Sequence, residues 1–261
     1  MENGKGSALV TGASSGLGLE YAKLLAADGH DLVLVARREE KLREVANELQ
    51  DRHGIRASVI AADLGEPTVP ARLVGRLADE GVRIDHLINN AGFGATGPFA
   101  ELDVDRQVGM IQVNVTALVH LTRLLVPDMI ARGFGRILNV ASTAGFQPGP
   151  GMAVYYATKG FVISFSEGIA HELRGTGVTV TCHCPGATAT EFSGAAGNAD
   201  SPLFRAGVAD AASVARHGYD AMKSGRVLKV HGALNWLAME SLRFSPRVAV
   251  RPLVAWINSK G

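Results

Sequence analysis

Ser7-Ala8-Leu9-Val10-Thr11-Gly12-Ala13-Ser14-Ser15-Gly16-Leu17-Gly18, running on into the helical pattern Leu19 to Ala27, decides the fold. Four residues of buried-strand character lead into a glycine loop that opens a helix. Gly12 permits the tight turn, Gly16 lets the backbone come close to a pyrophosphate, and Gly18 allows the helix to pack tightly on the strand. The unpaired N–H groups at the helix start then face the anion. Glycine spacing alone is weak; a strand before it and a helix after it are the context that makes a nucleotide site.

Outward from that loop, strand patterns alternate with helix patterns. Strands are expected at 7–11, 31–36, 56–61, 86–89, 136–141, 178–184 and 226–230. Helices are expected near 17–28, 38–52, 68–80, 103–131, 155–174 and 210–223. This alternation predicts a doubly wound α/β fold of the Rossmann type, with a parallel sheet of about seven strands, helices on both faces and right-handed crossovers. At 261 residues and 47% apolar content the chain fits one domain, with a core at about 5–231 and an extension at 232–261. Internal repeats and low-complexity segments are absent from the sequence.

A second stretch carries proton chemistry. Ser142 follows the apolar strand at 136–141, Tyr155 comes thirteen residues later, and Lys159 four after that. A spacing of four sets Tyr155 and Lys159 on one helical face. A free phenol, pKa about 10, is a poor acid at neutral pH. A unit charge about 4 Å away supplies roughly 4 kcal/mol at an effective dielectric near 20, enough to lower that pKa to about 7. Ser142 is placed to donate a hydrogen bond to the same substrate oxygen.

With both motifs the chain resembles the single-domain short-chain dehydrogenases/reductases. Asp63-Leu64, Asn89-Asn90-Ala91-Gly92, Asn114 in Gln-Val-Asn-Val, and Pro185-Gly186-Ala187-Thr188-Ala189-Thr190 extend the likeness over about residues 5–231. The catalytic positions show no departure from the family pattern. The resemblance implies strand order 3-2-1-4-5-6-7, a ligand at the switch point between strands 1 and 4, and a nicotinamide cofactor held along the loop Gly12, Ser14, Ser15, Gly16, Leu17 and Gly18. It implies that Asp63 and Leu64 hold the adenine, that Asn90, Ala91 and Gly92 form the turn under the adenosine ribose, and that Pro185, Gly186, Thr188 and Thr190 hold the carboxamide. Tyr155 is then acid in reduction and base in oxidation. Ser142 polarises the oxygen, Lys159 lowers the tyrosine pKa and bonds the nicotinamide ribose, and Asn114 holds a water that completes a proton relay.

The second strand ends Leu34-Val35-Ala36-Arg37-Arg38, with no carboxylate before Glu39. An acid there would bond the ribose 2′-hydroxyl of NAD; a basic residue accommodates the 2′-phosphate, so Arg37 and Arg38 point to NADP(H). The alternative is that both arginines merely open a solvated helix. Phe93, Phe99, Phe146, Met152, Val154, Phe192, Leu203 and Phe204 are expected around the substrate, and residues 143–154 carry no charge. Such a pocket suits a hydrophobic ketone or secondary alcohol. A 3-oxoacyl thioester reductase would share every motif, and an NADP(H)-sensing regulator is an alternative of another class, set against by the complete Asn114, Ser142, Tyr155 and Lys159 set.

A net charge of +1 offers no broad field for nucleic acid. No metal site is expected. Cys182 and Cys184 alternate on one strand face as small core residues, with His183 facing the other way. Met1 to Lys5 shows no apolar signal region, so a cytoplasmic enzyme is the expectation. The extension holds both tryptophans, Trp236 and Trp256, and reads as two short helices broken at Pro246. It is expected to pack on the protein rather than lie on a membrane surface; the resemblance implies subunit contacts at the last strand and at the long helices 103–131 and 155–174, and a tail packed after the last strand would obstruct the first and leave a homodimer.

Overall fold

Strands β1 (Ser7–Thr11), β2 (Leu32–Ala36), β3 (Ala57–Ala61), β4 (Ile84–Asn89), β5 (Gly135–Val140), β6 (Val178–Cys184) and β7 (Leu228–Val230) form one sheet in a computed structural model of the protein. The structure describes residues 6–198, 201–202 and 207–259. The order is β3-β2-β1-β4-β5-β6-β7, as the resemblance implies, and every neighbouring pair is parallel. The chain reverses its direction of travel between β1 and β4, which leaves a crevice beyond their carboxyl ends.

Alternation along each strand feeds two cores. On one face, Ala8 and Val10 of β1 join Leu32 and Leu34 of β2 under Tyr21 and Leu25 of α1 (Gly16–Ala27), Leu42 and Leu49 of α2 (Glu39–His53), and Tyr219. On the other, Leu9, Val33, Leu87 and Ile137 pack under Leu73 and Leu77 of α3 (Val69–Asp79) and under Leu121, Leu125 and Met129. Burial on both faces is why the strands read as continuous apolar runs.

The long helix expected at 103–131 is α4 (Val104–Ile111) and α5 (Leu118–Ala131), joined by a π-helical turn at Gln112–Ala117 that contains Asn114. By length and composition Val104–Ala131 passes for a membrane span. It is instead a layer of this fold, burying Met110, Ala117, Leu121 and Met129. Helix α6 (Ala153–Glu172) starts two residues before the expected position, and α8 (Ala211–Lys223) precedes β7. The loop after β6 carries the short helix α7 (Phe192–Ala196).

The tail holds two helices, α9 (Ala233–Ser241) and α10 (Arg247–Asn258), parted at Pro246. It packs through Val250, Val254 and Asn258 of α10 and through the part-buried Met239 and Leu242. Val250, Val254 and Asn258 are buried, whereas Trp236 and Trp256 are exposed, so the expectation of a tail that buries its large side chains is corrected in that respect.

Candidate active site

The end of β1 is tied to β4 by Thr11. Its buried hydroxyl donates to the Ile88 carbonyl at 3.1 Å and accepts from the N–H groups of Asn90 and Ala91, each at 3.0 Å. Asn90 returns the tie, its Nδ2 donating to the Thr11 carbonyl at 3.0 Å. Asn90 therefore clamps the glycine loop against the central strand. Gly12 has φ +68°, and a Cβ there would stand 2.8 Å from Asn90 Nδ2. A Cβ on Gly18 would run into the Gly12 carbonyl. Both glycines are required by close approach, Gly18 beneath the loop rather than on its open side.

Above the loop lies a cavity of about 960 Å³. Every candidate site residue lines it except Gly18 and Asn114. Asp63 accepts from the Gly65 N–H at 2.8 Å, which fixes its carboxylate at the rim, and Leu64 is buried beside it. At the opposite wall the Thr188 hydroxyl donates to the Gly186 carbonyl at 3.0 Å, and Thr190 Oγ1 accepts from the Phe192 N–H at 3.3 Å.

Arg38 spans the opening. Its Nη2 donates to Ser14 Oγ at 3.1 Å and Ser15 Oγ at 2.7 Å, while its Nη1 pairs with Glu191 at 2.8 Å. Lys41 reaches the same carboxylate at 3.5 Å. The Arg38 hydrogen bond, ahead of a small opposing burial effect, holds the Glu191 carboxyl below its ordinary range. Arg37 is exposed and makes no ion pair among the described residues. Sequence reading missed Glu191; nothing in its neighbourhood shows that it meets an arginine more than 150 positions earlier.

Tyr155 and Lys159 share one face of α6, as spacing requires, both buried. Lys159 Nζ is 5.8 Å from the centre of the Tyr155 ring and donates to the Val140 carbonyl at 2.8 Å. Burial lowers the Lys159 pKa to about 8, against an opposing pull from the Cys182 and Cys184 thiols. Burial also pushes the Tyr155 phenol above its ordinary value, while a hydrogen bond with the Ser142 side chain draws it down. In the protein alone burial is the largest influence on the phenol, and Ser142 is the group that draws it down. Ser142 is fixed in turn, its Oγ accepting from the Ala144 N–H at 3.1 Å and donating to the Pro185 carbonyl at 3.4 Å.

Tyr156 borders the same cavity, but its hydroxyl is engaged. Its hydroxyl donates to Asn258 Oδ1 at 2.9 Å, and Asn258 Nδ2 donates to the Pro150 carbonyl at 3.0 Å. The Asn114 side chain is fully engaged, Oδ1 accepting from the Phe93 N–H at 3.1 Å and Nδ2 donating to the Phe93 carbonyl and Thr158 Oγ1. It braces the turn at Gly92, where a Cβ would meet Asn114 Oδ1 at 3.0 Å and Lys159 Nζ at 3.6 Å.

Of the residues expected around the substrate, Phe93, Met152 and Phe192 line the cavity. Phe99 is exposed, Phe146 packs under Val162 and Cys182, and Val154 borders a separate small cavity, so these three are corrected. Leu203 and Phe204 lie outside the described residues. The missing wall comes from the tail: Met239, Leu242, Val250, Leu253 and Ile257 close the substrate end. Cys182 and Cys184 are buried free thiols, and His183 is a packed histidine, its Nδ1 2.7 Å from the Tyr21 hydroxyl.

The model of the family described as short chain dehydrogenase matches residues 7–200. The chain belongs to the short-chain dehydrogenase/reductase family, a family of oxidoreductases. A very-long-chain 3-oxoacyl-CoA reductase of Anas platyrhynchos is 39% identical over 191 residues, 71% of this chain and 61% of the relative. The match thus spans about three fifths of that relative's length. A short-chain dehydrogenase from Sphingobium yanoikuyae, solved in complex with NADPH, superposes with TM-score 0.82 at 34% identity, covering 92% of this chain and 94% of that one. A bulky-bulky ketone specific alcohol dehydrogenase from Comamonas testosteroni gives TM-score 0.79 at 30% identity, covering 93% of each chain.

Proposed function

We propose that this protein is an NADP(H)-dependent oxidoreductase that interconverts an apolar ketone and its secondary alcohol. One observation carries the reading: a single cavity joins the glycine loop to the Ser142 and Tyr155 hydroxyls. The cavity fits a dinucleotide, because it runs unbroken from the glycine loop along Arg38, Asp63 and Leu64 to Pro185 and Thr190, with a volume of about 960 Å³. The nicotinamide supplies the hydride chemistry when bound. The chain does the rest. Ser142 orients the carbonyl oxygen by a hydrogen bond, and in reduction the Tyr155 O–H bond breaks as its proton passes to that oxygen. In oxidation the alcohol O–H bond breaks and the Tyr155 phenolate oxygen takes the proton back. Lys159, positive below about pH 8, stabilises the phenolate left behind.

Preference for NADP(H) is supported by a strand β2 that ends without a carboxylate and by Arg38, already held over Ser14 and Ser15. The NADPH complex of the Sphingobium relative agrees with it. An apolar substrate is supported by Phe93, Met152, Phe192, Leu242 and Leu253 around the reacting end. The identity to a 3-oxoacyl-CoA reductase favours a second reading, a long-chain 3-oxoacyl thioester. A purely sensing role is disfavoured by the complete Ser142, Tyr155 and Lys159 set.

A panel of bulky ketones and acyl thioesters, followed by NADPH absorbance, tests the reading. We expect turnover of the ketones with NADPH favoured over NADH, and a loss of roughly tenfold or more in kcat/KM for NADPH alone in Arg38→Ala. Preference for NADH, or turnover of thioesters only, overturns it.

A further inference from the structure

The tail leaves much of its apolar surface in water. Helix α9 reads Ala-Leu-Asn-Trp-Leu-Ala-Met-Glu-Ser, yet not one of its residues is buried. Helix α10 has two apolar stripes with a spacing of four. Val250, Val254 and Asn258 face the protein, whereas Val248, Pro252 and Trp256 are exposed. Phe244, on the turn between the helices, is 89% exposed, Leu234 84% and Trp256 63%. Seven of the seventeen large apolar side chains exposed among the described residues fall in this short segment. Its three aromatics alone leave on the order of 400 Å² of ring surface in water, as much as the largest patch of a typical monomer.

The charges around the patch have one sign. Residues 232–261 contain Arg243, Arg247, Arg251 and Lys260 against a single acid, Glu240. Glu240 pairs with Arg243 at 3.2 Å, and among the described residues Arg247 and Arg251 have no ion-pair partner. A second copy of this chain, docked two-fold on the same face, would bring like charges together. Tryptophan, phenylalanine and leucine set among arginines suit an anionic bilayer interface.

The patch also adjoins the site. Met239, Leu242, Leu253 and Ile257, on the same helices and the turn between them, line the cavity, and Leu253 is at once a lining residue and 56% exposed. We propose that α9 and α10 form a membrane-docking surface that seats the cavity mouth on an anionic bilayer, so that an apolar carbonyl compound passes from the lipid into the site. The substrate half of this proposal rests on the ketone reading above; the docking half does not.

Trp236 and Trp256 are the only tryptophans of the chain, so intrinsic emission reports on the tail alone. The full chain is mixed with vesicles of phosphatidylcholine, or of phosphatidylcholine with phosphatidylserine, and followed by emission and co-sedimentation. We expect a blue shift and sedimentation with the anionic vesicles, weakened by salt. The double variant Leu234→Ser, Phe244→Ser should sediment roughly tenfold less while turning over a water-soluble ketone as before. Arg247→Glu with Arg251→Glu should remove the preference for anionic lipid. Wild-type protein that stays in the supernatant with unshifted emission overturns the docking. So does a wild-type oligomer that Leu234→Ser, Phe244→Ser splits, which would make the patch a subunit contact. A protein that binds vesicles but reduces no ketone overturns the substrate reading and leaves the docking intact.

Discussion

Two buried tyrosines stand side by side at the start of α6, and their partners assign them different work. Both line the cavity, but the Tyr155 hydroxyl meets Ser142 and the Tyr156 hydroxyl is spent on Asn258. Tyr155→Phe should lower kcat by roughly 10²–10⁴-fold, the usual worth of a positioned acid, with dinucleotide affinity retained in a fluorescence titration. Tyr156→Phe should keep its kcat; an inactive Tyr156→Phe beside an active Tyr155→Phe would reverse the assignment. Lys159 makes a pH-dependent contribution to stability. Its folded pKa of about 8 lies below the ordinary 10.5, so between those values the unfolded chain binds more protons and stability rises with pH. Below pH 8 the buried charge costs roughly 3 kcal/mol. Urea unfolding of wild type and Lys159→Met across pH 8 to 10 should show that rise in the wild type and not in the variant. Parallel curves would refute it.

Between elements, Arg38 is shared. It joins α2 to the glycine loop through Ser14 and Ser15, and to the loop before α7 through Glu191. A phosphate arriving at Arg38 must compete with that carboxylate, in an ion pair exposed enough to be worth at most about 1 kcal/mol. Glu191→Gln should therefore tighten NADPH by up to roughly fivefold and leave NADH unchanged when dissociation constants are measured by fluorescence. Equal shifts for both cofactors would remove Glu191 from the competition. Elements that depend on local spacing could be read from the sequence: the β1 loop and α1, the Tyr155 to Lys159 face, and the break at Pro246. Contacts between distant segments could not. Nothing near Phe146 or Phe99 in sequence says that the first turns into the core and the second into water. Nothing near Leu253 says that it returns to the cavity. The π turn was missed for another reason, since a single extra residue in a helix leaves the apolar pattern of 103–131 nearly intact.

For the whole molecule, α4 exposes Val104, Val108 and Ile111 at helical spacing, with Leu124 of α5 and Phe161 of α6 also exposed. We infer that these helices pair two copies, while the tail, following directly on β7, obstructs a contact at that edge. Light scattering should give twice the 27.4 kDa of one chain, and Val108→Glu should halve it. A stable tetramer would refute the obstruction. The cavity itself has two halves of unequal firmness. Its dinucleotide end grows from strand ends in the middle of a seven-stranded sheet, and its far wall is held by Val250, Val254 and Asn258 with the part-buried Met239 and Leu242. Elements with few buried contacts open first on warming. Heat would therefore lift the tail while the sheet still holds, leaving a dinucleotide cradle and a tyrosine in place but no wall on the side where a substrate's size would be felt.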